Sequence, residues 1–170
     1  LISGLHLHTR ELMFYYWVRQ TLFMACKVSV RKSPGWGMTM NTESLTLFLD
    51  GDVPLDLFAQ AMGRFSRLVS ELSEEVGTDT DITWTVSDLV AGSAAITVSG
   101  VSTQAEAVAR VSRAYVIVGQ SLAAQQPIPF SSAVVRAATD LTKVLDDQVT
   151  SLRFESGDES AIVTVGEINR

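Results

Sequence analysis

Between Ser44 and Asp50 apolar and polar positions alternate. Leu45, Leu47 and Leu49 fall on one side of an extended chain, Thr46 and Phe48 on the other. Successive side chains of a strand point to opposite faces, so this pattern predicts a strand with one strongly apolar face. Asp50-Gly51-Asp52 ends it, and the period then changes. From Pro54 to Val76, Leu55, Phe58, Met62, Phe65, Val69, Leu72 and Val76 recur at spacings of three and four, which places them on one stripe of a helix. Asp52 or Val53 opens this helix, Pro54 suits its first turn and Gly77 closes it. The opposite face carries Arg64, Arg67, Glu71, Glu74 and Glu75. So regular a stripe also suits a coiled-coil seam, but at about three heptads packing against a sheet is the better expectation.

Strand periodicity returns from Asp81 to Gly100. Ile82, Trp84 and Val86 alternate with Thr83, Thr85 and Ser87. The chain turns over Asp88 to Ser93, and Ala94, Ile96 and Val98 alternate with Ala95, Thr97 and Ser99 on the return. Thr103 to Gln125 predicts a second helix, with Thr103-x-x-Glu106 as a capping box and Val108, Val111, Tyr115, Val118 and Leu122 as its apolar stripe. Pro127 and Pro129 break it. A third helix starts at Ser131 or Ser132 and turns Val134, Val135, Ala138, Leu141 and Leu145 inward. Val149 to Phe154 and Ser160 to Val165 form a closing hairpin about Gly157. The order is β-α-β-β-α-α-β-β. Strands joined by tight turns pair antiparallel. The expected fold is therefore α+β, an antiparallel sheet with helices packed on one face.

Composition divides the chain. Its 170 residues are 46% hydrophobic and 19% charged, a globular composition of one-domain size. Residues 1–37 hold five basic side chains (Arg10, Arg19, Lys27, Arg31, Lys32) against Glu11, a net +4. The other 133 residues hold eight basic and 18 acidic ones, a net −10. An acidic body disfavours a broad nucleic-acid surface, which needs clustered Lys and Arg. The breaker-rich Ser33-Pro34-Gly35-Trp36-Gly37 precedes Met38 and Met40. The expected division is thus a basic N-terminal extension over 1–37, read through in frame from upstream of a native start at Met38 or Met40, and a single α+β domain over 38–170. The other reading makes Glu11 to Val30, with Trp17 and its aromatic neighbours, an interfacial helix and a membrane association. No apolar run is long enough to span a bilayer. Cys26 is the only cysteine, so no intrachain disulfide forms, which fits a reducing cytoplasm. His6-x-His8 alone is a weak metal signal.

From residue 38 onward there is no histidine and no cysteine. The commonest general base, soft metal ligand and thiol nucleophile are all missing from the body. The sequence Leu47-Phe48-Leu49-Asp50-Gly51-Asp52 resembles the first motif of the haloacid-dehalogenase-type phosphohydrolases, an apolar strand followed by Asp-x-Asp. That resemblance implies Mg²⁺, with Asp50 as nucleophile and Asp52 as acid/base, and a parallel sheet. Pro54 departs from the pattern. Lys143 with Asp146 and Asp147 mimics the family's distal lysine and acidic pair, but on a helix. The simpler reading is that Asp50-Gly51 turns the chain and Asp52 caps the helix. Asp88 is expected to shape a turn, Trp84 and Tyr115 to pack in the core, and Arg64 and Arg67 to lie on a solvated face, although one turn apart they suit an anion.

The segments Leu47 to Asp52, Phe65 to Val69 and Trp84 to Ala94 together resemble an uncharacterised group of bacterial, actinobacterial-type α+β proteins. The resemblance implies no activity and no catalytic residues. The function expected from the body is a non-enzymatic cytoplasmic binding or protein-interaction module that needs no cofactor, its partner a protein or a second copy. The alternative is the Mg²⁺-dependent phosphohydrolase of Asp50 and Asp52.

Overall fold

The leucine ladder of the first strand lies at the centre of a five-stranded sheet. In the computed structural model, residues 43–77, 82–90, 94–164 and 166 are described, all within the unit Thr39–Arg170. The readings placed on 1–37, with His6, His8, Trp17 and Cys26, and the start at Met38 or Met40 lie outside the described residues, as does the turn at 91–93. The elements are β1 (Glu43–Gly51), α1 (Leu55–Val76), β2 (Thr83–Val90), β3 (Ala94–Val101), α2 (Ala105–Ala123), α3 (Ser132–Thr142), β4 (Val149–Ser156) and β5 (Glu159–Thr164). This is the expected order. The strands form one sheet, β2-β3-β1-β4-β5, and every neighbouring pair is antiparallel.

Register carries the alternation of β1 across the sheet. Leu45, Leu47 and Leu49 stand opposite Val98, Ile96 and Ala94 of β3. Leu47 and Leu49 also face Phe154 and Leu152 of β4, which in turn face Ala161 and Val163 of β5. All but Ala94 are buried and form the helix-facing side. The far side is polar: Thr46 and Thr97 pair their hydroxyls at 3.0 Å, and the Arg153 guanidinium lies 4.1 Å from the centre of the Phe48 ring.

α2 lies across β5, β4 and β1, whereas α1 packs mainly on α3 and α2. Tyr115 of α2 is fully buried between Phe65 of α1 and Phe154 of β4, with ring centres 5.7 and 5.2 Å away, and its hydroxyl donates to the Thr46 carbonyl at 3.0 Å. Burial pushes the Tyr115 phenol well above its ordinary range, and Glu155 adds to this.

Local details in the elements themselves differ from the sequence expectations. The capping box of Thr103 and Glu106 does not form, because α2 begins two residues after Thr103, with Gln104 at the N-cap and no side-chain cap bond. Instead Ser102 Oγ accepts the Gln104 N–H at 3.1 Å. The strand of the first hairpin runs on through Asp88, because a bulge between Val86 and Asp88 absorbs Ser87. Asp88 therefore pairs with Thr97 inside the strand. The buried stripe of α1 is Ala61, Phe65, Leu68, Val69 and Leu72, while Phe58, Met62 and Val76 are only partly buried and Leu55 is exposed.

Candidate functional site

The stripe of α1 is shifted because the helix does not close fully on the β2–β3 flank. A groove of about 950 Å³ runs between them. Its floor is apolar, with Ile96 and Val98 of β3 and Trp84 and Val86 of β2. Met62, Phe65 and Val69 of α1 form the facing wall. Ser66, Ser70, Ser73 and Glu74 supply the polar rim. An apolar cleft with a few convergent polar groups is the usual form of a ligand site.

Trp84 sets one end of the groove. It stands opposite Gly100, where a Cβ would lie 2.7 and 2.8 Å from the indole and 2.8 Å from Val108. Only glycine lets the ring lie flat against the sheet there. The indole N–H donates to Ser73 Oγ at 2.8 Å, and Ser73 donates on to the Val69 carbonyl at 2.7 Å. The indole is thus held by packing and a directed bond, as the expected core role requires, and it also borders open space. Ser66 and Ser70 are exposed on the same wall. Val86, next along β2, is 46% exposed, although it lies on the helix-facing side.

Asp50 and Asp52 lie elsewhere, where β1 meets the start of β4. Asp50 is exposed and accepts a 2.6 Å hydrogen bond from Ser151 Oγ. Gly51 has φ +129°, and a Cβ there would sit 2.0 Å from the Gln148 carbonyl oxygen. The register shifts at this point, and the Asp52 N–H donates to the same carbonyl at 2.9 Å. Asp50-Gly51 is therefore an irregular strand end paired with β4 and not the turn expected of it. The capping role given to Asp52 is not realised: Pro54 is the N-cap residue of α1 and has no side-chain cap bond. Lys143 follows the end of α3 and bonds Asp140 at 2.6 Å. Asp146 lies past the helix, and its Oδ1 accepts the N–H groups of Gln148 and Val149, both at 2.8 Å, to lead the chain into β4. The placement of this lysine and acidic pair on a helix is corrected accordingly, and the sheet is antiparallel where the phosphohydrolase resemblance implies parallel strands. Among the described residues no three His, Cys, Asp or Glu side chains are grouped to hold a metal ion, and no helix is long and apolar enough to cross a membrane.

Arg64 and Arg67 line a second, smaller hollow between α1 and α3, with Lys143 and Asp140. Sequence reasoning paired the two arginines but not the lysine, which reaches them only through the packing of α3 on α1. The groove was missed as well. Its trace in the sequence is the hydroxyl row Ser66, Ser70 and Ser73, spaced by four and three along the flank of the apolar stripe.

No family model matches the chain, and no curated protein or solved structure is significantly similar to it.

Proposed function

We propose that the protein is a non-enzymatic binding module that takes an extended apolar peptide segment of a partner protein along the outer edge of β2. The observation that carries this reading is the conjunction of the groove with an edge strand. Among the described residues no strand pairs with the outer side of β2. The regular part of that edge, Thr83 to Val86, is the part that borders the groove, and the bulge begins beyond it. A strand added there would place alternate side chains beside Val86, over the space under α1. Backbone bonds would supply affinity and the groove side-chain selectivity. The acidic body and Glu74 on the rim favour a neutral or basic peptide. A cytoplasmic location belongs to this reading and rests on the single cysteine.

Selection from a random short-peptide library against the full chain tests it. The enriched peptides should be apolar and alternating and should slow amide exchange along β2. Val86→Lys should weaken them by about tenfold or more while leaving the melting temperature nearly unchanged. Peptides that bind Val86→Lys as well as wild type, or that protect other elements and not β2, would overturn the reading.

A further inference from the structure

One position on α1 is not explained by the fold. Gly63 lies in the middle of the helix and is exposed, and a Cβ built there would meet no atom within 4 Å. Glycine is the poorest helix former after proline, and a buried close approach is the usual reason to keep one. Gly100 and Gly119 have that reason, but Gly63 has none among the described residues. What the bare backbone does is keep a hollow open on the face of α1 turned away from the groove.

That hollow measures about 310 Å³ and is lined by Gly63, Arg64, Arg67, Ala137, Asp140 and Lys143. The domain from residue 38 has eight cationic side chains against 18 acidic ones. Three of the eight meet here, with one carboxylate between them. Lys143 Nζ bonds Asp140 at 2.6 Å, and Arg67 Nη1 lies 3.6 Å from the same carboxylate. Arg67 Nε is 3.8 Å from Glu71. Among the described residues, Arg64 Nη2 makes only a long 3.4 Å bond to Gln60, and its Nη1 is enclosed with no hydrogen-bond partner. A guanidinium nitrogen out of water and without an acceptor is unfavourable, and a turn of the Arg64 side chain into the hollow would let an anion satisfy it.

We propose that the Gly63–Arg64–Arg67–Lys143 hollow is a binding site for the phosphate group of a small molecule. Three cations against Asp140 and the more distant Glu71 leave a net +1, a positive spot on an otherwise acidic domain that attracts an anion. Two of the cations are arginines, whose planar forks suit phosphate oxygens. The missing Cβ of Gly63 leaves room for the anion beside the helix.

The full chain is titrated with inorganic phosphate, pyrophosphate and a phosphoserine peptide at fixed ionic strength, with chloride as reference, and amide shifts are followed by NMR. Saturable shifts confined to residues 63–67 and 137–143 are expected, with pyrophosphate binding more tightly than the peptide. Lys143→Gln and Arg64→Gln should each weaken pyrophosphate by about tenfold or more. Lys143 is exposed, so its variant folds whether or not Arg64→Gln does. Gly63→Leu should raise the melting temperature, because leucine is the better helix former, and should block binding. Shifts that vanish at constant ionic strength, tighter binding of the phosphopeptide, or a Gly63→Leu protein that binds pyrophosphate like wild type would each overturn the proposal.

Discussion

The two flanks of the sheet are built from the same alternating strands but are covered differently. Over β4 and β5, α2 lies so close that a Cβ on Gly119 would sit 2.8 Å from Phe154 and 3.0 Å from Ala161. There Phe154, Leu152 and Val163 are fully buried. Over β2 and β3, α1 presents Met62, Phe65 and Val69 with Ser66, Ser70 and Ser73 beside them, and leaves the groove open. Trp84 stays partly exposed there and Val86 largely so. Gly119 thus marks a flank closed by the approach of α2, while the opposite flank stays open. Strand character alone does not distinguish them.

The largest expected effect lies on the closed flank. Phe154→Ala removes a ring packed at a tilt against Tyr115 and should cost about 3–5 kcal/mol, a large share of the about 5–15 kcal/mol that holds a domain of this size. Val86→Ala on the open flank should change stability by under about 0.5 kcal/mol. Denaturant unfolding of both variants measures the contrast. Comparable losses would mean that the groove is packed in solution.

A pair of glycine variants sharpens the comparison with identical chemistry. Gly119→Ala forces a methyl group against the Cβ atoms of Phe154 and Ala161 and should destabilise by about 1–3 kcal/mol, despite alanine's better helix propensity. Gly63→Ala meets open space and should stabilise by up to about 1 kcal/mol. Opposite signs in thermal unfolding are the expected result.

Tyr115 joins the two flanks and gives a pH-dependent test. Tyr115→Phe keeps the ring and loses the bond to Thr46, at a cost of about 1 kcal/mol near neutral pH. The folded-state pKa of the phenol is raised, so its neutral form is favoured by folding. Stability is then fully present below the unfolded pKa of about 10 and falls as pH rises above it. Wild type should lose stability above that pH more steeply than Tyr115→Phe, as followed by circular dichroism.

The smallest effect belongs to Asp140. The hydrogen bond and charge of Lys143, then the charges of Arg67 and Arg64, hold its carboxyl below the usual range. A depressed folded pKa contributes stability above the ordinary Asp value of about 3.9, which is lost as pH falls through the lower folded value. The pair is exposed, so screening keeps the effect small. Acid unfolding of Asp140→Asn should show a slightly shallower loss than wild type below that pH.

Much of this molecule was legible in local pattern. The ladder Leu45, Leu47 and Leu49 identified β1 and its buried face, Pro54 and Gly77 bracketed α1, and Gly157 marked the last turn, where φ is +57°. These features depend on steric and periodic preferences within a few residues, so the chain states them directly. The failed capping box at Thr103 and the bulge at Ser87 show the limit of such signals: both motifs have the right residues, but tertiary packing set the helix start and strand register.

What only the tertiary structure decided is which elements become neighbours. β1 lies between β3 and β4, partners roughly 50 and 100 residues away, as the Thr46–Thr97 and Asp50–Ser151 bonds show. The same assembly brought Lys143 to Arg64 and Arg67, and left α1 standing off β2. Hydrophobic periodicity says that a face must be buried but not against what, because the hydrophobic effect has no direction. The choice among partners comes from side-chain volumes meeting across the sheet: the absence of a Cβ at Gly119 lets α2 approach β4 and β5, and its absence at Gly100 makes room for Trp84.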